Sequence, residues 1–153
     1  MSYRIEDEPR PGGLAHLAVR PLWPLFVVMF GGALWSWTWF VVNAFAIGSP
    51  TRRREIAWAI GGLVGNVVLV AGVFALIDQG VIEVLGARYA LVGVTVWKLA
   101  VSYRLVLLQS RTFDLFEHYG GKVRNGMAVV FLAWFATDKL VKLLPTFWIV
   151  VLR

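Results

Sequence analysis

Four charged side chains, Lys98, Asp138, Lys139 and Lys142, stand inside stretches that are otherwise apolar. A charge at bilayer depth costs about 2.5–3.5 kcal/mol on insertion scales, so such residues are functional candidates by default. Asp138 and Lys142 are spaced i, i+4, share a helix face and can pair directly. Lys98 and Asp138 each fall near the middle of their stretch, so two facing helices could join them as a buried ion pair. The chemistry this implies is a polar path for ions, protons or a small polar solute. Two plainer roles compete with it: a structural pair that fixes how two helices pack, or lysine stems that reach a nearby interface. A third stretch running from Val81 to Tyr103 would move Lys98 toward that interface.

Asn43 and Asn66 are the polar residues of the first two apolar stretches, suited to interhelical amide hydrogen bonds worth about 0.6 kcal/mol on average. His16 and His118 both fall outside the apolar stretches, so no haem or chlorophyll is expected, and two distant histidines make no metal centre. Cysteine is absent, which removes disulfides, thiolate sites and cysteine nucleophiles. No phosphate-binding glycine loop followed by Lys-Ser or Lys-Thr occurs, and no Gly-x-Ser-x-Gly. Trp23 suits an interface belt, while Trp35, Trp37 and Trp39 suit helix or lipid packing. No cofactor and no catalytic group are expected.

The elements that must position these residues follow from composition. The 153 residues are 59% hydrophobic and 16% charged, with a mean hydropathy of +0.71. Soluble domains have roughly 45–50% apolar and about 25% charged residues, and a chain this small lacks the charge to clothe a water-facing surface. The expected fold is all-α: an integral membrane bundle of about four transmembrane helices. A span needs about 20 apolar residues. The candidate spans are Leu22 to Ile47, Ile56 to Ile77, Ala87 to Leu108 and Met127 to Leu152. Gly48 and Pro50 end the first. Ala57, Gly61 and Gly65 recur every fourth residue in the second, a small-residue face that lets another helix approach closely. The last span reads as one helix bent at Pro145, or as two short segments meeting near Asp138. Residues 109–125 read as a short interfacial or cytoplasmic helix between the third and fourth spans, either continuing the third helix into the cytoplasm or lying at the interface, and closed by Gly120–Gly121.

Residues 1–20 read as an N-terminal extension at the membrane surface, and 21–153 as a single transmembrane domain. Acidic Glu6, Asp7 and Glu8 argue against a cleavable signal. Arg52, Arg53 and Arg54, with Arg111, Lys122 and Arg124, mark one side as cytoplasmic and as the side facing anionic lipid headgroups. Four crossings then put both termini outside the cytoplasm, against the grain of Arg4, Arg10 and Arg20. The net charge of +6 is accounted for by the membrane surface, and no nucleic-acid partner is expected. The expected function is a small accessory or assembly subunit of a larger membrane complex. The expected partners are lipids and either other subunits or further copies. The alternative is a homo-oligomeric channel or transporter with a path near Lys98 and Asp138, and an intramembrane enzyme comes third. A bacterial inner membrane suits the composition.

Overall fold

A computed structural model describes residues 8–153, apart from the side chain of Val84; Arg4, Glu6 and Asp7 lie outside the described residues. Among these the chain is all-α. A 3-10 turn at Ala15–Leu17 is followed by six helices: α1 (Leu22–Phe30), α2 (Ala33–Ala46), α3 (Arg52–Asp78), α4 (Val84–His118), α5 (Met127–Val141) and α6 (Thr146–Leu152).

Two helices form the frame. With 27 and 35 residues, α3 and α4 extend about 40 and 52 Å at 1.5 Å per residue. Arg52–Asp78 and Leu85–His118 are each long and apolar enough to cross a membrane. They run antiparallel, so that Glu55 meets Gln109 at one end and Gly62 meets Val101 nearer the middle. The buried stripe of α3 is Glu55, Ala59, Gly62, Asn66, Val70 and Val73, at helical spacings of three and four. Its large apolar residues Ile60, Val64, Val68 and Leu69 point outward.

The first apolar stretch is not one span. It breaks at Gly31–Gly32 into α1 and α2, which fold back on each other: Ser36 Oγ donates to the Pro24 carbonyl at 2.7 Å, and the Val19 N–H donates to Asn43 Oδ1 at 3.0 Å. Residues this far apart on one straight helix could not touch. Gly32 makes the turn with φ +88, a conformation open to glycine at little cost. The tip of this hairpin lies near the middle of α3, since Trp37, one turn beyond it, packs against Gly62. With nine and 14 residues, α1 and α2 rise only about 14 and 21 Å, short of the roughly 30 Å of a bilayer core.

The last stretch is also broken. Helix α5 starts where Gly126 packs on Trp23 and reaches the hairpin tip, where Thr137 Oγ1 donates to the Gly31 carbonyl at 2.6 Å. The chain turns through Lys142 to Pro145, and the proline, which cannot continue a helix, leads into α6. Helix α6 then runs back along α3. The Phe147 ring lies 5.5 Å from that of Phe74, edge to face. Asn66 Nδ2 donates to the Val151 carbonyl, and Arg153 abuts Gly32.

Of the two readings of residues 109–125, the structure has the continuation: α4 runs unbroken to His118 rather than giving way to a separate helix, and buries Phe113 and Phe116 against Ala18, Ala46 and Ile47. One further expectation is corrected. The N-terminal segment does not lie opposite the arginines of α3. Its Arg10 N–H donates to Gly48 at 3.0 Å, Arg124 donates to Ala18 at 2.8 Å, and Arg20 pairs with Glu117 at 3.1 Å. A hairpin returns the chain to the end from which it came, so Arg10 and Arg20 share that end with Arg52, Arg53 and Arg54.

A Cβ at Gly32 would collide with Arg153 Cα and the Leu152 carbonyl. Gly32→Ala is therefore expected to cost about 2 kcal/mol or more from backbone strain and overpacking, read as a lower thermal midpoint in detergent. Gly12→Ala, with nothing within 4 Å, should stay within about 0.5 kcal/mol.

Candidate functional site

The densest polar chemistry in the bundle lies where α2, α3 and α4 meet at the arginine end. Glu55, the first residue of the α3 inner stripe, is fully buried. Its Oε1 accepts from Thr51 Oγ1 at 2.7 Å and from Ser49 Oγ, and its Oε2 accepts from Gln109 Nε2 at 2.7 Å. Gln109, also fully buried, donates further to the Phe40 carbonyl at 2.7 Å and accepts from Asn43 Nδ2 at 3.0 Å. Asn43 then accepts the Val19 N–H. One connected network thus joins the N-terminal segment, α2, the α2–α3 turn, α3 and α4. Buried carboxylates and amides are tolerated when each is met by partners, and every polar side-chain atom of Glu55 and Gln109 has one here.

The turn that carries Ser49 and Thr51 is built by Gly48, at φ +66, where a Cβ would strike the Arg10 carbonyl. It brings both hydroxyls back onto the first turn of α3. One step toward the hairpin tip, Trp37 Nε1 donates to Ser102 Oγ at 2.9 Å, a further side-chain hydrogen bond between α2 and α4.

The charged candidates lie elsewhere and do not converge. Lys98, 8% exposed, donates its Nζ to the Val150 carbonyl at 2.7 Å. Together with Asn66 on Val151 it satisfies carbonyls of the last turn of α6 that have no partner within the helix. Lys98 and Asp138 are not paired. Asp138 Oδ2 accepts from Lys142 Nζ at 2.9 Å, as the i, i+4 spacing implies, and Asp138, Lys139 and Lys142 all lie on the exposed face of α5. Asn43 and Asn66 do bridge elements, but Asn66 Oδ1 is buried without a partner.

Of the small-residue face, Gly65 receives the Trp97 indole of α4, whose Nε1 donates to the Gly62 carbonyl at 3.1 Å, whereas Ala57 and Gly61 are exposed. Arg52 stacks on Phe45 at 4.6 Å, and Arg53 and Arg54 are exposed. Among the described residues there is no group of three or more His, Cys, Asp or Glu able to hold a metal. A cavity of about 560 Å³ opens at the arginine end between Pro9, His16, Phe116, Tyr119 and Lys122, apart from the buried network.

The network offers no open volume to a substrate, because its polar groups are spent on one another; what it does chemically is to lock five segments together. No family model, curated protein or solved structure matches the chain.

Sequence reasoning found Asn43 and missed Glu55, Gln109, Ser49 and Thr51, which fall at the edges of the apolar stretches and read as connections. Helical spacing carries the missed signal: Glu55 continues the Ala59, Gly62, Asn66 stripe, and Gln109 follows Val101, Ser102 and Leu105 on α4.

Gln109→Leu would strand Glu55 Oε2 and Asn43 Nδ2 together and take the second donor from the Phe40 carbonyl. The expected loss is about 3 kcal/mol or more, against about 1 kcal/mol for Trp37→Phe, which removes a single bond. Denaturant titration of the purified variants in mild detergent measures both.

Proposed function

We propose that this chain is embedded in a membrane through α3 and α4 as full crossings, with α1–α2 as a hairpin that enters from the arginine end and turns part-way and α5–α6 as a broken pair whose turn lies toward the Asp78 end, and that it serves as a small subunit supporting a larger membrane assembly. Its inside-out side-chain pattern supports the embedding. Glu55, Asn66 and glycine face the interior of the bundle while Ile60, Val64, Val68, Val92 and Val96 face outward. Water-soluble helices do the reverse, and exposed apolar surface on this scale marks a lipid or protein contact. The basic residues Arg10, Arg20, Arg52, Arg53, Arg54, Lys122 and Arg124 share one end, which under the positive-inside tendency is cytoplasmic.

The assembly reading is carried by one observation: Asp138, Lys139 and Lys142 are exposed on α5, next to exposed Phe135 and Leu143. Asp138 lies about 16 Å along α5 from Met127, at the level of the half-way hairpin tip. Left against lipid, each charge costs about 2.5–3.5 kcal/mol, and such residues face protein or a water-filled space instead. A partner helix with polar or complementary groups relieves that cost. A second copy of this chain would relieve it too, which is the specific ground for the homo-oligomeric alternative.

Extraction of the tagged chain from its host into nanodiscs, with mass determination of whatever accompanies it, is expected to return other membrane proteins in fixed ratio. Replacing Asp138, Lys139 and Lys142 together by leucine should reduce their recovery at least about fivefold while the chain stays inserted. A clean multiple of 17.1 kDa would establish the homo-oligomer, and a lone chain would overturn both.

A further inference from the structure

On the outer face of the α3–α4 pair, near the arginine end, two arginines share a face with one indole. The Arg104 guanidinium lies over the Trp58 ring, 5.9 Å from its centroid. Arg54, four residues before Trp58, is on the same face of α3. The antiparallel register set by Glu55 with Gln109 and Gly62 with Val101 puts Arg54 about one and a half turns, roughly 8 Å, nearer the bundle end than Arg104. Arg104 is only partly exposed, yet among the described residues neither it nor Arg54 has a carboxylate in ion-pair reach. Other cations of this end are engaged: Arg20 by Glu117 and Arg52 by Phe45. The nearest acidic group along α3, Glu55, is buried and turned inward to its own hydrogen bonds. A half-buried arginine without a counter-charge is unusual, because desolvated charges are ordinarily paired.

We propose that Arg54, Arg104 and Trp58 form a binding site for the phosphodiester headgroup of an anionic membrane lipid, a reading that rests on the membrane embedding proposed above. Guanidinium forks match phosphate oxygens bidentately, and indole favours the headgroup level, where its apolar body and N–H are both accommodated. Tyr103 and Leu107, 57% and 50% exposed beside Arg104, offer apolar surface to an acyl chain. Specificity follows from charge. Two guanidiniums and no outward carboxylate favour a headgroup with net negative charge over a zwitterionic one, whose ammonium would find no acidic partner and whose cation–π position over Trp58 is already taken by Arg104.

The test is native mass spectrometry of the full chain in mild detergent, titrated separately with phosphatidylglycerol, phosphatidylcholine and inorganic phosphate. Wild type is expected to retain phosphatidylglycerol about tenfold better than phosphatidylcholine, in line with the attraction of anionic lipid for two basic side chains. The Arg54→Gln/Arg104→Gln pair should bring the two lipids to about parity, and Arg54→Gln alone should lose about threefold. Arg53→Gln, a quarter-turn round the helix, should keep the preference. An unchanged preference in the double variant, or its equal loss in Arg53→Gln, would overturn the site. Inorganic phosphate binding as tightly as the lipid would overturn the lipid assignment. Failure of the embedding itself is read separately: the chain would then be released from host membranes by alkaline carbonate.

Discussion

Glu55 has been taken out of solvent, and everything near it is arranged around that fact. A buried carboxylate without partners costs several kcal/mol, so donors must come from whatever segments can reach it. Here they come from the α2–α3 turn through Ser49 and Thr51 and from α4 through Gln109. Gln109 then requires an acceptor and a donor of its own, found in Phe40 and Asn43, and Asn43 in turn anchors the backbone at Val19. Each partner imposes a position on the next. The register of α3 against α4, the depth at which α2 sits and the point where the N-terminal segment crosses the bundle end are thereby set together. Apolar packing alone sets none of these so sharply, because leucine and valine surfaces tolerate sliding that a hydrogen-bond chain does not.

The hairpins depend on the same anchoring. Helices α1 and α2 are too short to cross, and their turn leaves backbone groups inside the bundle. Those groups are met locally: Gly31 and Gly32 N–H both reach the Val27 carbonyl, and Thr137 caps the Gly31 carbonyl from α5. Lys98 and Asn66 do the corresponding work on the final turn of α6. Irregular backbone away from water survives where protein groups satisfy it. Lys98 and Asn66, polar side chains inside otherwise apolar stretches, thus serve the broken α5–α6 pair.

What the sequence made legible was the class of residue in each stretch, and what it hid was direction. An all-α chain, two long apolar helices and the clustering of arginines at one end follow from composition and periodicity. The stretch from Leu22 to Ile47 has the length and apolarity of a crossing, and nothing in its hydropathy separates a straight helix from a hairpin. The decision rests on one glycine at positive φ, Gly32, and on the contact of Ser36 with Pro24. The double glycine was visible, but glycine is common in membrane helices and does not by itself reverse a chain. The extent of α4 was more recoverable. The inner stripe of Leu105, Gln109, Phe113 and Phe116 keeps its helical spacing past the apolar run, and only the polar residues on its other faces left open whether the helix continues or a separate one begins.

The charged residues divide by what meets them. Glu55 is met by hydroxyls and an amide, Lys98 by a carbonyl, and Arg20 by Glu117. Asp138 and Lys142 meet each other, and the pair remains 65% and 71% exposed. At the bundle end an exposed ion pair is unremarkable and worth little. Toward the end of α5, level with the Gly31–Gly32 turn, the same pair stands on a largely apolar outer surface, and no other described element of the chain meets it. Internal satisfaction is nearly complete where the helices meet, Trp39 Nε1 and Asn66 Oδ1 excepted among the described residues. A fold that closes its own buried network so fully carries its remaining charges outside, Asp138 and Lys142 on one face and Arg54 and Arg104 on another.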